Sequence, residues 1–286
     1  MPIDRLRLSV IDTGWPTNMR RLAPLADELG YERFWLTEHY SSSQSASPTV
    51  LAGIAAGLTT RLRIGTAGVL LNFRSPMSVA ADFAVLESFH PGRIDLGVTS
   101  SLAGGGAVAR RLLDGRPDPS RASYEQRVEA LAQMVVEGAV DDDGQSALGP
   151  ASTSTPEIWI CGVSPTSAEL AGRLGCSYSF HDHLKPAGTD GASVVATYVR
   201  SFKATDRQAE PRYNVAAYGS CVTAAASVVP EMPASYGGTP EECRVQLCEL
   251  AARYQTNEIV IQDLSMSLDQ QAAAYVALAR QFELGV

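Results

Sequence analysis

Residues 62–99 read LRIGTAGVLLNFRSPMSVAADFAVLESFHPGRIDLGVT. The first ten, residues 62–71, are mostly apolar and favour a buried strand. Ser75-Pro76 supplies a helix N-cap and a first-turn proline, and His90-Pro91-Gly92 ends the helix that follows. Residues 93–99 then favour a second strand. Because neighbouring parallel strands need a long crossover between them, this order of elements indicates a βαβ unit.

The same alternation runs along the rest of the chain. Strands are predicted at 6–11, 31–36, 62–71, 93–99, 158–161, 177–181, 213–222 and 258–262. Helices are predicted at 19–29, 47–58, 75–89, 124–137, 166–174, 192–202, 241–254 and 270–282. Eight strand–helix units most economically close into a (β/α)8 TIM barrel, which is an α/β fold. An open doubly wound sheet is the alternative, but Asp12-Thr13-Gly14-Trp15 follows the first strand in place of a GxGxxG motif.

Two segments between the units lack a periodic apolar pattern. Gly104-Gly105-Gly106 is interpreted as a lid or a linker, and residues 141–155 as a loop. Neither segment divides the chain into parts of different composition. Residues 1–286 are therefore expected to form a single domain.

The composition limits the possible classes of function. Hydrophobic residues make up 45% of the 286 residues, which excludes wholesale disorder. The net charge of −8 and the scattered basic residues predict no nucleic-acid partner. No run approaches the roughly 18 apolar residues of a membrane helix, and MPIDRLRLSV at the start lacks a signal-peptide pattern, so we expect a cytoplasmic protein with no membrane partner. The five cysteines are odd in number and scattered, as is typical of reduced thiols.

In a (β/α)8 barrel the active site lies at the carboxyl ends of the strands. The residues that close the predicted strands are Asp12, Glu38, His39, Asn72, Thr99, Ser100, Gly162, Ser164, His181, His183, Cys221, Gln262 and Asp263. Three of the four histidines fall in this set, whereas His90 lies at the opposite end of the predicted barrel. This distribution places the candidate chemistry at one end of the barrel.

Histidines are the first candidates for catalysis in this set. His39 follows Glu38, and an imidazole beside a carboxylate can act as an acid or a base near neutral pH, although a histidine bonded to backbone is the alternative. His181 and His183 share one face of their strand and are candidate substrate-binding residues. A metal site is not expected there, because Asp182 lies on the other face.

Residues 162–167 (GVSPTS) join the fifth strand to a helix. Their backbone N–H groups, hydroxyls and helix dipole would suit a phosphate. The alternative is an ordinary N-cap, since Ser-Pro and Thr begin many helices that hold no ligand. Both interpretations remain open at this point.

Several strings resemble those of the bacterial luciferase-like flavin-dependent monooxygenases. They are FWLTEHY at 34–40, LRIGTAGVLL at 62–71, Ser75-Pro76, and LESFHPGRIDLG at 86–97. The likeness is nearly continuous over residues 8–98. It returns at 157–175 (EIWICGVSPTSAELAGRLG) and more faintly at 179–186 and over the last strand and helix.

The resemblance implies a (β/α)8 barrel that uses reduced FMN and oxygen, or in one branch a deazaflavin. It implies that His39 assists the flavin–oxygen chemistry, so His39 and Glu38 beside it are the candidate catalytic residues. It also implies that Ala67-Gly68 forms a bulged segment, often with a cis peptide bond, under the flavin ring. The residues that it places around the cofactor are Ala67, Gly68, Thr99, Ser100, Gly162, Val163, Ser164, Thr166 and Ser167. The residues expected around a small organic substrate are Trp15, Tyr40, Asn72, His181 and His183.

The resemblance also implies partners. Family barrels pair through their second and third helices, which predicts a homodimer, and the small residues of helix 47–58 would permit a close approach or would pack on the barrel itself. No nicotinamide-binding fingerprint is visible in the chain, so a separate flavin reductase is expected.

The chain departs from the family at one position that concerns the cofactor. Many relatives carry an arginine after the fourth strand that pairs with the flavin phosphate, whereas GVTSS at 97–101 places Ser100 there. Arg110 or Arg111 would have to reach back to replace it, so we expect FMN to bind weakly. Two alternatives to the monooxygenase therefore stay open: a non-catalytic or repurposed barrel with a degenerate flavin site, and a deazaflavin-dependent oxidoreductase.

Overall fold

The computed structural model of the chain describes residues 6–12, 16–40, 46–101, 106–117, 120–140, 143–149, 152–222, 234–265 and 267–285. Its strands are β1 (Arg7–Asp12), β2 (Arg33–Leu36), β3 (Arg63–Thr66), β4 (Val69–Leu70), β5 (Ile94–Thr99), β6 (Glu157–Gly162), β7 (Ser177–His181), β8 (Tyr213–Cys221), β9 (Tyr236–Gly238) and β10 (Glu258–Asp263). Its α-helices are α1 (Pro16–Leu29), α2 (Pro48–Gly57), α3 (Pro76–Phe89), α4 (Gly106–Leu113), α5 (Arg121–Glu137), α6 (Pro165–Leu174), α7 (Gly191–Ser201), α8 (Pro240–Tyr254) and α9 (Leu268–Gln281).

Eight parallel strands close on themselves in the order β1, β2, β3, β5, β6, β7, β8 and β10. Closure is made by β10, which pairs with β8 through Ile259↔Val215 and with β1 through Ile259↔Leu8. The helices pack outside the barrel, where one large apolar cluster joins them to the strands. The predicted (β/α)8 barrel is confirmed.

The structure differs from the predicted order of elements at three places. The run 62–71 is not one strand, because a cis peptide bond at Ala67-Gly68 separates β3 from β4, which pairs with the far end of β5. Gly106 is the first residue of α4, a helix that the glycine-rich pattern concealed. The sequence also gave no sign of β9, which extends the sheet beside the end of β8. Trp15 and Gly104-Gly105 lie outside the described residues.

The barrel interior is layered because alternate residues of each strand point inward. Along β10, Glu258, Val260 and Gln262 follow one another from the amino end to the carboxyl end. Val260 belongs to a middle layer of buried apolar residues, made with Ile11, Trp35, Ala67, Trp159, Cys161 and Ala216. This layer separates a charged layer at the amino end from a cavity at the carboxyl end.

The charged layer centres on Arg33, which is buried at the start of β2. Its Nη1 donates to Asp95 Oδ2 at 2.9 Å and its Nε to Glu258 Oε1 at 3.0 Å. Burial opposes the charge, but Glu258 and Asp95 together raise the pKa of Arg33 above its ordinary value. Ser9 and Asn214 also donate to Glu258, so this carboxylate is held from several strands.

Candidate active site

A cavity of about 330 Å³ opens at the carboxyl end of the barrel. The predicted site residues that line it are Glu38, His39, Ala67, Gly68, Thr99, Ser100, Gly162, Val163, Ser164, Ser167, His181 and His183. They come from five of the barrel strands and the segments that follow them. The cavity has the size of an ordinary small-molecule site and lies where barrel enzymes carry their chemistry.

Glu38 and His39 follow β2 but have different surroundings. Glu38 is buried, and its carboxylate accepts from Leu70 N at 2.9 Å and from the guanidinium of Arg74 at 2.8 Å. His39 is exposed beside it. Partial desolvation lowers the pKa of His39 below its ordinary value, and the charge of Glu38 offsets part of that effect. The histidine is therefore available to ligands, whereas the carboxylate is already occupied by its neighbours.

The wall between β3 and β5 is largely backbone. The cis peptide bond Ala67-Gly68 lies on the cavity surface, and Ala67 N donates to Leu36 O at 2.9 Å. Asn72 lies behind this wall, where its Nδ2 donates to the carbonyl of Ser100 at 3.0 Å. Asn72 thus fixes the backbone at Ser100.

The segment 162–167 enters α6 through a capping box. Ser164 Oγ accepts from Ser167 N at 3.2 Å, and Ser164 N donates to Ser167 Oγ at 3.3 Å. A Cβ on Gly162 would lie too close to Ser167 Oγ, so only glycine fits there. The N-cap interpretation therefore accounts for both serines, and two of the expected phosphate donors already have partners.

His181 and His183 bring β7 and β8 together at the floor of the cavity. His183 stacks on Tyr218, with ring centroids 3.5 Å apart, and its Nδ1 lies 3.2 Å from Ala216 O. Burial lowers the pKa of His181 to about 3, and the neighbouring His183 adds to this effect. Burial also lowers the pKa of His183 to about 4. Both imidazoles are neutral at physiological pH.

Three predicted site residues are not brought to the cavity wall. The Tyr40 hydroxyl donates to Glu38 at 2.8 Å, Asn72 supports Ser100, and the Thr166 hydroxyl lies 2.9 Å from Ser164 Oγ. Trp15, the fourth, lies outside the described residues. Tyr40, Asn72 and Thr166 therefore act on the site through the residues that they contact.

The cavity also contains residues that the site prediction missed. They are Ile11, Thr37, Leu70, Ser101, Cys161, Leu184, Tyr218 and Gln262, of which only Gln262 was noted as closing a strand. Every second residue of a strand points to the same face, so Cys161 could have been predicted two residues after Trp159. Tyr218 could likewise have been predicted two residues after Ala216. Tyr218 was missed because β8 continues past the barrel to pair with β9, so the last strand residue, Cys221, is not at the cavity.

The donor set fits an FMN ring better than an FMN phosphate. Ala67-Gly68 offers a surface with almost no side chains, and the Thr37 hydroxyl, a buried oxygen beside the cavity, has no hydrogen-bond partner among the described residues. No lysine or arginine occurs among the described lining residues. Arg110 and Arg111 are exposed on α4 and do not line the cavity.

The described residues contain neither a candidate metal cluster nor a membrane-spanning helix. No group of three or more His, Cys, Asp or Glu side chains could hold a metal ion there. None of the described helices is long and apolar enough to cross a membrane. All five cysteines are free thiols, and four of them are buried.

Comparison with known proteins gives a family match. The model of the family described as luciferase-like monooxygenase matches residues 9–229. An N-acetyl-S-alkylcysteine monooxygenase of Bacillus subtilis (strain 168) is 29% identical over 285 residues, with 84% of each chain covered. The oxygenase component of a flavin-dependent trigonelline monooxygenase from Acinetobacter baylyi is 26% identical, with 56% of this chain and 46% of that protein covered.

A solved structure agrees along the whole length. The crystal structure of apo-MsnO8 has a TM-score of 0.85 and 26% sequence identity, and the alignment covers 98% of this chain and 99% of that one. Three other Bacillus subtilis relatives are 30–36% identical, but the chain spans only 57–60% of their length. The chain belongs to the luciferase-like monooxygenase family.

Proposed function

We propose that the protein is the oxygenase of an FMN-dependent monooxygenase system that acts on a small organic substrate. The observation that carries this proposal is that one cavity unites His39, the Ala67-Gly68 segment and the Gly162–Ser167 segment. These come from different strands, and the family resemblance assigns each of them to the flavin site. When bound, reduced FMN would supply the electrons that activate oxygen.

His39 is the proposed catalytic residue. Its imidazole is exposed to the cavity mouth, and its lowered pKa keeps it neutral, so it can accept a proton from a reacting group and return it. Glu38 is a positioning residue in this proposal. Its contacts with Arg74 and Leu70 N fix the segment that carries His39.

The proposed flavin site holds the ring chiefly by contacts with Ala67, Gly68, Thr99 and Val163. The phosphate would meet Ser100, Ser164 and Ser167, with Thr166 behind them. The capping box already uses Ser164 and Ser167, so few strong donors remain for a charged group. We therefore expect FMN to dissociate readily, and we expect reduced FMN to arrive from a separate reductase. The name of the Acinetobacter baylyi relative, an oxygenase component, supports this arrangement.

We also propose a homodimer built on α2 and α3. On α2 and its C-cap, Val50, Ile54 and Leu58 form an exposed apolar stripe at helical spacing. On α3, Phe89 is 75% exposed. The small residues that were expected to admit a partner helix pack in the core instead, since Ala52, Ala55 and Ala56 are buried against the barrel. The partner would therefore contact the opposite face of α2.

This arrangement changes the experiment that tests the dimer. Ile54→Glu places a charge on the exposed stripe and should convert the dimer to a monomer in sedimentation. Ala56 lies on the buried face of the same helix, so Ala56→Glu places the charge in the core and should unfold the chain instead. A wild-type protein that sediments as a monomer at micromolar concentration contradicts the proposal.

Isotope incorporation tests the activity. Reduced FMN, generated by an added NADH-dependent flavin reductase, is supplied with ¹⁸O₂ and a panel of thioethers, ketones and phenols. We expect one class of compound to gain ¹⁸O only when the protein is present. Hydride transfer to a deazaflavin without incorporation would favour the deazaflavin alternative. Absence of both, with no flavin binding, would favour the non-catalytic one.

A further inference from the structure

The tautomer of His183 is set by its backbone contact. A carbonyl oxygen can only accept, so the 3.2 Å approach to Ala216 O requires the proton on Nδ1. In a neutral ring this leaves Nε2 without a proton, as a hydrogen-bond acceptor. The face-to-face stack on Tyr218 holds the ring in place. His183 therefore offers the cavity a fixed acceptor.

His181 lies beside it without a fixed partner. The side chain is buried, lines the cavity, and has its ring centroid 5.5 Å from that of His183. Its Nε2 is buried and makes no hydrogen bond to any described residue. Buried polar atoms are nearly always paired, so an unpaired ring nitrogen on a side chain that lines a cavity points to a partner that enters with the ligand.

The charge of the cavity restricts what that group can be. Of the described lining residues, only Glu38 carries a full charge at neutral pH, and Arg74 neutralises it. An anion bound beside the two neutral imidazoles would lose its hydration without gaining a cation. A neutral group loses far less hydration free energy when it is buried there.

We propose, resting on the proposed monooxygenase function, that His181 and His183 bind an uncharged hydroxyl or N–H group of the substrate. The group donates its hydrogen to His183 Nε2, and the hydroxyl oxygen, or the carbonyl oxygen beside an amide N–H, accepts from His181. The substrates are then small neutral alcohols, phenols or amides, and carboxylates, sulfonates and phosphates are rejected.

Three small probes separate these possibilities without any flavin. Phenol carries a neutral donor, anisole replaces the donor hydrogen by a methyl group, and benzoate carries a negative charge. The chain has only four histidines, so ¹⁵N-histidine NMR can follow His181 and His183 individually once single variants have assigned the signals. Each probe is titrated into the full-length protein at pH 7.

We expect phenol to shift the signals of His181 and His183 and to bind about tenfold or more tightly than anisole or benzoate. His183→Phe keeps an aromatic ring on Tyr218 but removes the acceptor, and it should abolish the preference for phenol. His90→Phe, at the other end of the barrel, is the matched control and should leave the preference unchanged.

Equal binding of anisole would overturn recognition of a donor, and equal binding of benzoate would overturn the neutral class. Absence of any shift at His181 and His183 up to 20 mM phenol, roughly the range of weak fragment binding, would overturn the subsite as a whole. These measurements need no FMN. A phenol preference without ¹⁸O incorporation would therefore leave this subsite standing while the proposed function fails.

Discussion

The two ends of the barrel interior contain polar groups of opposite character. At the amino end, Arg33, Asp95 and Glu258 are charged, buried and mutually bonded. At the carboxyl end, His181 and His183 are neutral, and His181 Nε2 has no partner among the described residues. The apolar layer around Trp35 and Trp159 lies between the two ends.

The difference separates stability from binding. A buried ion pair is expensive unless its charges are compensated, and the amino end compensates them, because Arg33 pairs with both Asp95 and Glu258 and Arg7 lies 3.5 Å from Glu258 Oε2. At the carboxyl end, His181 Nε2 has no hydrogen-bond partner among the described residues. A ligand that supplied one would remove the free-energy cost of this unpaired buried atom. Changes at the amino end should therefore alter folding, and changes at the carboxyl end should alter ligand binding and turnover.

The largest effect is expected at the amino end. Asp95→Asn removes one partner of the Arg33 and Arg63 guanidiniums and should lower the free energy of unfolding by about 3–5 kcal/mol, because their buried charge loses compensation. Asp269→Asn is the matched control. Its ion pair with Arg21 is exposed, so its loss should cost about 1 kcal/mol or less. Urea unfolding measures both, and equal costs would contradict the division between the two ends.

The next effect is expected at the carboxyl end. His39→Ala should lower the turnover of ¹⁸O incorporation by about 10² or more, because a proton-transfer group is lost. The free energy of unfolding should stay within about 0.5 kcal/mol, since the side chain is exposed. His90→Ala, a histidine at the amino end, serves as the control for turnover. Unchanged turnover in His39→Ala rules out the assigned role.

Sequence periodicity predicted the barrel because each strand–helix unit carries its own local signals. Ser75-Pro76 and Ser164-Pro165 begin helices α3 and α6 where the capping rules place them. Helix α4 was missed because it is only 8 residues long and Gly106 opens it. The break between β3 and β4 was visible only through the family resemblance, since residues 62–71 have the apolar composition of one strand.

The site was predicted less completely because a cavity wall depends on which face of each strand points inward. Strand ends located His181 and Gln262 correctly on the wall. Tyr40 also follows a strand end, but its hydroxyl is directed to Glu38. The capping box of Ser164 and Ser167 shows a second limit, since one pattern of hydroxyls serves a helix start or a phosphate equally well. Only the contacts distinguish the two uses.

The neutral histidines predict a pH dependence of folding. Desolvation lowers the pKa of His181 to about 3, whereas in the unfolded chain it takes the ordinary value near 6.5. Below about pH 6.5 the unfolded state therefore binds the extra proton, and stability falls as the pH decreases toward the folded-state pKa. The groups nearest this pair are Asp182 and Lys185, which face His183.

The measurement compares unfolding at pH 7 and pH 5. The loss of unfolding free energy between the two should be about 2 kcal/mol smaller in His181→Gln than in the wild type, because glutamine does not titrate. His90→Gln removes a more accessible imidazole and should change the loss by less. The same loss in the wild type and in His181→Gln would mean that His181 is not held neutral by burial.

The smallest effect is expected for FMN binding, because the carboxyl end has no described cation for the flavin phosphate. Ser100 is exposed at the cavity, and its carbonyl accepts from Asn72. The backbone N–H groups of Ser164 and Ser167 donate within the capping box, and the Ser167 hydroxyl donates to Ser164 O. The wild type should therefore bind FMN only in the micromolar range or more weakly, since neutral hydrogen bonds contribute roughly 0.5–1.5 kcal/mol each. Ser100→Arg restores a cation and should tighten binding by about tenfold or more.

Calorimetry with FMN measures this gain, and Ser88→Arg adds the same charge near the amino end of the barrel as a control. A gain in Ser100→Arg alone would show that the carboxyl end holds the flavin phosphate and that its weak binding comes from one absent charge. Tight binding by the wild type, or an equal gain in both variants, would show that the phosphate lies elsewhere. In that case the neutrality of the cavity would concern the substrate only, because the cofactor would take its cation from another part of the chain.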